Sequence, residues 1–268
     1  MSIFHPKQFE LFKKMSKDDT LPHAFLFTGP EGVGKLNFAR DIAYFLQDIE
    51  KRENHPDIIE TSVPLPIKEA KELKKRLSTT PYSAKYKIVI IDQAESMHVD
   101  AANSLLKMIE EPKGNTIFIL VSSFSQKILE TIHSRCVEIK FNYVNDSVIE
   151  KELDTSKVKE LSAHWSGRPA YAAKLANNQK YREKINSYRQ DCANFLSGSA
   201  VERFNIGEKY GKIKNRGELA EILRVWIEYC RENEADAGIL ANLLKIYKNT
   251  TTTNANFQYA FNNLSVNL

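Results

Sequence analysis

A glycine-rich turn, Gly29-Pro30-Glu31-Gly32-Val33-Gly34-Lys35-Leu36, lies between the apolar pentapeptide Ala24-Phe25-Leu26-Phe27-Thr28 and an amphipathic stretch running from Leu36 to Gln47. Such a turn demands a buried strand before it and a helix after it, because the backbone N–H groups that face a phosphate are those of a loop leading into a helix N-terminus. Phe38, Ala39, Ile42, Phe45 and Leu46 recur at helical spacing on one face of the segment that follows. The full phosphate-binding pattern is Gly, four residues, Gly, Lys, then Ser or Thr, whose hydroxyl holds Mg²⁺. Here that last residue is Leu36, which has no oxygen to offer. Gly29, Gly32, Gly34 and Lys35 are therefore the candidate nucleotide-binding residues of a degenerate site.

Downstream, strands alternate with helices. His55-Pro56-Asp57 leads into Ile58-Ile59-Glu60, and Ile67 to Leu77 reads as an amphipathic helix whose Lys68, Lys71, Lys74, Lys75 and Arg76 form a solvated face. Lys87-Ile88-Val89-Ile90-Ile91-Asp92 is an apolar run bounded by charge, the signature of a parallel strand buried on both faces. A helix over Asp100 to Glu111 is ended by Pro112, and Thr116 to Val121 is a fourth strand. Ser125 to His133 reads as a helix, and Val137 to Phe141 as a fifth strand. The alternation predicts a three-layer α/β domain built on a five-stranded parallel sheet.

Asp92 closes the central strand, where a nucleotide enzyme places its Mg²⁺-holding carboxylate. The next residue, commonly a water-orienting Glu in hydrolases, is Gln93, which cannot act as a base. Ser122 and Ser123 end the fourth strand, where a hydroxyl can sense a γ-phosphate or simply cap a turn.

Composition narrows the classes. With 268 residues, 42% apolar and 27% charged, the chain is ordinary globular material with room for up to three small domains. No apolar run approaches membrane-spanning length and the first residues lack a signal-peptide core, so a cytoplasmic protein is expected. Cys136, Cys192 and Cys230 are far apart and pair with no histidine at ligand spacing, so neither a disulfide framework nor a metal site is expected. A net charge of +4 is too mild to argue for a dedicated nucleic-acid binder.

Ala102-Asn103-Ser104-Leu105-Leu106-Lys107-Met108-Ile109-Glu110-Glu111-Pro112, then Phe118-Ile119-Leu120, then Ile132-His133-Ser134-Arg135-Cys136 resemble the clamp-loader branch of the AAA+ proteins. With His55-Pro56-Asp57 and the Gly29 loop, these motifs run in the family's order over residues 20–142. Within the branch the chain looks most like the bacterial DNA polymerase III delta-prime subunits, whose nucleotide site is usually degraded, rather than the gamma/tau motor subunits. The resemblance implies no intrinsic ATPase, no required cofactor beyond weak ATP or ADP binding, and a role within the DNA-directed DNA polymerase III holoenzyme. It also implies that the Ser-Arg-Cys arginine, Arg135, reaches into a neighbouring subunit's ATP site and acts there in trans. The alternative is a gamma/tau-like ATPase subunit. Implied partners are gamma/tau-like and delta-like subunits, the sliding clamp, and primer–template DNA in the assembled complex.

Two departures from the family pattern bear on the site. The lid arginine of the motors corresponds to Ala170 in Gly167-Arg168-Pro169-Ala170-Tyr171-Ala172, with Arg168 close by, and the four-cysteine zinc module of many relatives is missing between Asp48 and Asn54. Beyond Asn145 the chain reads as helical. The expected organisation is an AAA+ P-loop domain over 1–143, a helical lid over 144–178 and a helical collar over 179–268. The longer helices are placed at Asn178 to Leu196, Gly217 to Glu232 and Asp236 to Tyr247, with Thr250 to Thr253 a polar connector before a last helix around Phe257. Trp226 and Phe257 lie on apolar stripes and are read as packing residues.

Overall fold

The computed structural model describes residues 2–49, 55–63, 73, 75–76 and 79–252. Most of the expected basic helix at 67–77 and the last helix around Phe257 lie outside them. Two compact units emerge, one of Met1–Glu152 with Ser166–Tyr171 and one of Leu153–Trp165 with Ala172–Leu268.

The first unit is built on five parallel strands, β1 (Ala24–Thr28), β2 (Ile58–Ser62), β3 (Lys87–Asp92), β4 (Thr116–Ser122) and β5 (Val137–Lys140), in the order β2-β3-β4-β1-β5. Phe25 pairs with Ile119, Leu26 with Leu120, and Ile88 with Ile117. Alternate residues of the interior strands face opposite layers: Phe25, Phe27, Ile88, Ile90, Ile117 and Ile119 enter one apolar cluster, while Leu26, Val89, Ile91, Phe118 and Leu120 enter the other. Both faces are thus buried, and unbroken apolar runs result.

Helices α1 (Pro6–Lys17) and α2 (Lys35–Leu46) cover the first face through Phe12, Phe38 and Ile42; α3 (Val99–Glu110) and α4 (Glu130–His133) cover the second through Leu105, Ile109 and Ile132. The sequence reading does not place helix α1, although Pro6 at its first turn is a start signal and Phe9, Phe12 and Met15 recur at helical spacing and pack on the core. The expected helix over Ser125 to His133 is broken. A 3₁₀ turn at Ser125–Lys127 gives way to extended backbone at Ile128 and Leu129, and only the four residues of α4 are α-helical. Ile128 and Ile132 are both in the apolar cluster under α3, as they would also be on one face of a continuous helix, so their burial does not account for the break.

At the amino ends of β2 and β3 the chain is held by two buried charges. The Asp57 carboxylate, 1% exposed, accepts from the backbone N–H groups of Tyr82 (2.7 Å), Ser83 (2.9 Å) and Ala84 (3.2 Å). Lys87 Nζ, equally buried, donates to the carbonyls of Arg76 (2.7 Å) and Thr79 and to Thr79 Oγ1 (2.8 Å). Together they fix the loop that returns the chain to β3.

The second unit is helical: α5 (Asp146–Glu152) belongs to the first unit, and then come α6 (Ser162–Trp165), α7 (Pro169–Asn177), which starts in the first unit, and α8 (Gln179–Ser197), α9 (Ala200–Gly211), α10 (Arg216–Glu232) and α11 (Ala237–Thr252). Asn178 caps α8 and Asn215 caps α10. Trp226 is 1% exposed, 5.1 Å from the Phe195 ring and 5.3 Å from the Tyr210 ring, a packing residue as expected. His164 Nδ1 lies 2.8 Å from Glu228 Oε2 with both groups buried, tying α6 to α10. Helix α9 was missed in the sequence although Ser199 and Glu202 form a reciprocal capping box at its start. Its apolar Val201 and Phe204 are exposed, so no core-facing stripe marks it. The polar threonines at 250–252 extend α11 instead of beginning a connector; Thr250 Oγ1 donates to the Tyr247 carbonyl and satisfies itself within the helix.

Burial works to raise the Asp57 pKa, but the three N–H donors prevail and hold it below the usual carboxylate range. Its stabilising effect is therefore complete above the unfolded value of about 3.9 and is lost as pH falls through the lower folded-state value. Asp57→Asn should destabilise the protein by about 3 kcal/mol at neutral pH. Thermal melts of the two proteins should converge as the medium is acidified below that range, and a gap that stays constant down to pH about 2 would contradict the assignment.

Candidate functional site

The carboxyl ends of the adjacent strands β1, β4 and β3 bring together the loop, Ser122 with Ser123, and Asp92, the edge at which open parallel sheets bind ligands. The loop needs its glycines. Gly29, Gly32 and Gly34 have φ of 137°, 84° and 100°. A Cβ on Gly29 would sit 2.1 Å from the Phe141 carbonyl oxygen, and one on Gly32 would sit 2.5 Å from the Tyr171 ring. Gly34 is the N-cap of α2, and Lys35 is its first residue.

Lys35 is turned onto its own loop. Its Nζ donates to the carbonyls of Gly29 (2.6 Å) and Pro30 (2.7 Å) and to Ser123 Oγ (3.1 Å), and the residue is 5% exposed. Three donors meet three acceptors, the full capacity of an ammonium group. Glu95 completes the cluster: its Oε1 accepts from the Ser123 N–H at 3.2 Å, while its buried Oε2 has no hydrogen-bond partner among the described residues. Burial pushes the Lys35 amine down to about 8, opposed by the negative charges of Glu95, Glu31 and Asp92. Asp92 is raised, first by burial and then by Glu95 and Glu60, against the Gln93 N–H and Lys35. The charge that phosphates would supply around Lys35 comes instead from the protein's own carboxylates.

Two further loop carbonyls are committed as well. Gly32 accepts from the Ala170 N–H at 2.9 Å, and Val33 accepts from His5 Nε2 at 2.8 Å. His5 is 4% exposed, edge-on to Phe38 and Phe141, and its pKa is lowered by burial. Ala170, the position matched to the motors' lid arginine, thus does stand at the loop, but it meets it through its backbone. Arg168 stacks over the Tyr143 ring at 5.4 Å. Leu36 is half-buried and packs against the apolar cluster, and Gln93 is exposed with a left-handed φ of 54°. Ser122 Oγ accepts from the Phe124 N–H at 3.1 Å, a turn cap. Neither a hydroxyl beside Lys35 in sequence nor a carboxylate after Asp92 is available, so the residues present do not fit a magnesium–nucleotide complex as a hydrolytic site requires.

Arg135 stands apart from this cluster. It follows α4, is 40% exposed at its side chain, and its contacts are Glu110, the Thr131 carbonyl and Ser134 Oγ. His5, Glu95 and Tyr171 escaped the sequence reading. Only the last had a local signal, an aromatic residue beside the lid motif. Among the described residues no group of His, Cys, Asp or Glu side chains is arranged to hold a metal ion, and no helix is long and apolar enough to cross a membrane.

A parallel β2-β3-β4-β1-β5 sheet with a glycine loop after β1 and an acid ending β3 defines an AAA+ type α/β fold. A DNA polymerase III gamma subunit-related protein of Thermotoga maritima shares that fold over 95% of this chain and 97% of its own, with a TM-score of 0.59 at 15% identity. More narrowly, the family model described as DNA polymerase III, delta subunit matches residues 4–145, and the chain belongs to that family. DNA polymerase III subunit delta' of Bacillus subtilis is 31% identical over 68% of this chain and 62% of its own length; that of Pseudomonas aeruginosa is 30% identical over 52% and 48%. The chain thus spans roughly half to three fifths of the curated relatives it matches.

A titration of the Lys35 side chain followed by NMR at its Cε should show a midpoint near 8, against about 10.4 for a free lysine. Between those values the unfolded chain holds a proton that the folded chain has released, so the cost of burying this ammonium, full below about 8, falls away as pH rises towards about 10.4 and stability rises with it. Lys35→Met should remove that component of the pH dependence of stability; a midpoint above 10 would show that the amine is not buried as described.

Proposed function

We propose that this chain is a delta-prime-like subunit of a DNA polymerase III clamp loader, a non-hydrolysing member of a complex that loads the sliding clamp onto primed DNA in the cytoplasm. One observation carries the reading: the loop lysine spends all its donors on Gly29, Pro30 and Ser123, while Arg135 stands exposed on another edge of the same unit. A subunit so built cannot readily hydrolyse ATP itself but can present a guanidinium to a neighbour's phosphates. Family membership supports gamma/tau-like and delta-like subunits as its partners, and the clamp and primer–template DNA follow as partners of the assembly. The lid over 144–178 and the collar over 179–268 serve the ring, with the collar supplying most of the contact between subunits. No cofactor is required; ATP or ADP binds weakly at most, since a phosphate must displace Lys35 from the loop carbonyls.

The purified chain should show no ATP turnover above background. A rate of even ~1 s⁻¹ that disappears in Lys35→Ala would favour the gamma/tau-like motor reading. In the reconstituted complex, Arg135→Ala should slow single-turnover hydrolysis at the dependent site by at least about tenfold. Its own melting should shift little, about 1 kcal/mol or less, because only exposed contacts are lost. Lysine should rescue poorly, lacking the planar fork. Unchanged hydrolysis and clamp loading in an assembled complex would make the arginine structural.

A further inference from the structure

Arg135 is held before any partner arrives. Its Nε donates to Glu110 Oε1 at 2.7 Å, and Nη2 lies 2.6 Å from the same oxygen. Nη1 donates to the Thr131 carbonyl at 2.9 Å, with Ser134 Oγ at 3.4 Å. Glu110 is the last residue of α3, and Arg135 follows α4 by two residues. The two helices meet through Leu105, Ile109 and Ile132, all within 3% of complete burial. The exposed ion pair is therefore set by a rigid apolar contact directly beneath it.

A guanidinium has two edges that can bind an anion with paired N–H groups, Nε with Nη2 and Nη1 with Nη2. Glu110 takes the first. The second, at the tip of the side chain, has only neutral acceptors, the Thr131 carbonyl and Ser134 Oγ on Nη1, and a phosphoryl group can compete with these for that edge. A carboxylate that blocked the arginine would occupy the tip; this one braces its flank. At 40% and 45% side-chain exposure the pair adds little to folding stability. Its effect falls instead on the rotamer of a long side chain that is otherwise free to sample many.

We propose that Glu110 is a positioning residue for Arg135, aligning the Nη1–Nη2 edge outward for the phosphates of a nucleotide bound by the adjacent subunit. This rests on the trans role of Arg135 proposed above. The negative charge matters as well as the shape, because one oxygen must accept two charge-assisted hydrogen bonds.

The test is single-turnover ATP hydrolysis by the reconstituted complex carrying Glu110→Gln, Glu110→Ala, Arg135→Ala, or Glu110→Ala with Arg135→Ala. Each Glu110 variant should slow the dependent site by about three- to tenfold with subunit assembly and melting temperature unchanged, a loss typical of misaligned groups. Added to Arg135→Ala, the Glu110 change should cost nothing more, since the group it positions is gone. A merely structural glutamate would give additive losses or lowered melting. If Arg135→Ala itself has no effect, the trans-arginine reading fails. If it slows hydrolysis while both Glu110 variants match the parent, or run faster, the positioning role alone is overturned. Should Glu110→Ala not fold, the isosteric Glu110→Gln decides, and failure of that variant to assemble would assign Glu110 to the fold and refute the proposal.

Discussion

Everything at the nucleotide loop hangs on an aromatic cluster beneath it. Phe12, Phe25, Phe27, Phe38 and Phe141, all at most 1% exposed, lock α1, β1, α2 and the end of β5 into one body. Their rings lie 4.8 to 6.5 Å apart in tilted and edge-on contacts, arrangements that each add about 0.5–1.5 kcal/mol beyond area burial. Because Phe141 is fixed by this cluster, its carbonyl lies where any Cβ on Gly29 would be, and the loop can follow only the path that glycine allows. The same cluster seats His5, whose Nε2 then reaches the Val33 carbonyl.

Given that scaffold, the loop's electrostatics follow from the burial of Lys35. A buried ammonium needs acceptors and compensating charge. Lys35 finds the acceptors in Gly29, Pro30 and Ser123, and the charge in Glu95, Glu31 and Asp92. Ala170 and Tyr171 close over Gly32 from the far side. Such a loop is stable without phosphate, in keeping with Leu36 and Gln93, neither of which could use a bound metal ion. The loop acts as a structural junction: polar contacts join the strand β1, the helix α2 and the segment 166–171.

The charged groups of the first unit thus sort by environment. Asp57 and Lys87 are buried at the amino ends of the strands and spend their charge on backbone groups of one loop. Lys35 is buried at the carboxyl ends and does the same. Arg135 and Glu110 are half exposed, paired with each other at the surface above an apolar contact between their helices. Internal satisfaction makes the first three structural. Arg135 differs in that its side chain is 40% exposed and its Nη1 meets only neutral acceptors, so it has charge to offer a partner.

The strand and loop pattern was legible in the sequence because burial on both faces writes itself as unbroken apolar runs, and because a glycine turn before a helix has few alternatives. β1 and the run Lys87 to Asp92 were read with their observed bounds, and the residues converging on the loop edge were identified from the glycine–lysine spacing between a strand and a helix and, for Asp92, from its place at a strand end. Elements whose stability comes from elsewhere were not. α9 leaves Val201 and Phe204 exposed and so shows no core-facing stripe, and the helix expected from Ser125 gives way to extended backbone at Ile128 and Leu129. Sequence also established what the loop lacks, since a missing hydroxyl at Leu36 or a missing carboxylate at Gln93 is a property of the residue itself. Only tertiary structure decided what fills the gap. Lys35 meets Ser123 across 88 positions and Arg135 meets Glu110 across 25, and hydrogen bonds at such separations depend on how helices pack on the sheet, which no local pattern encodes.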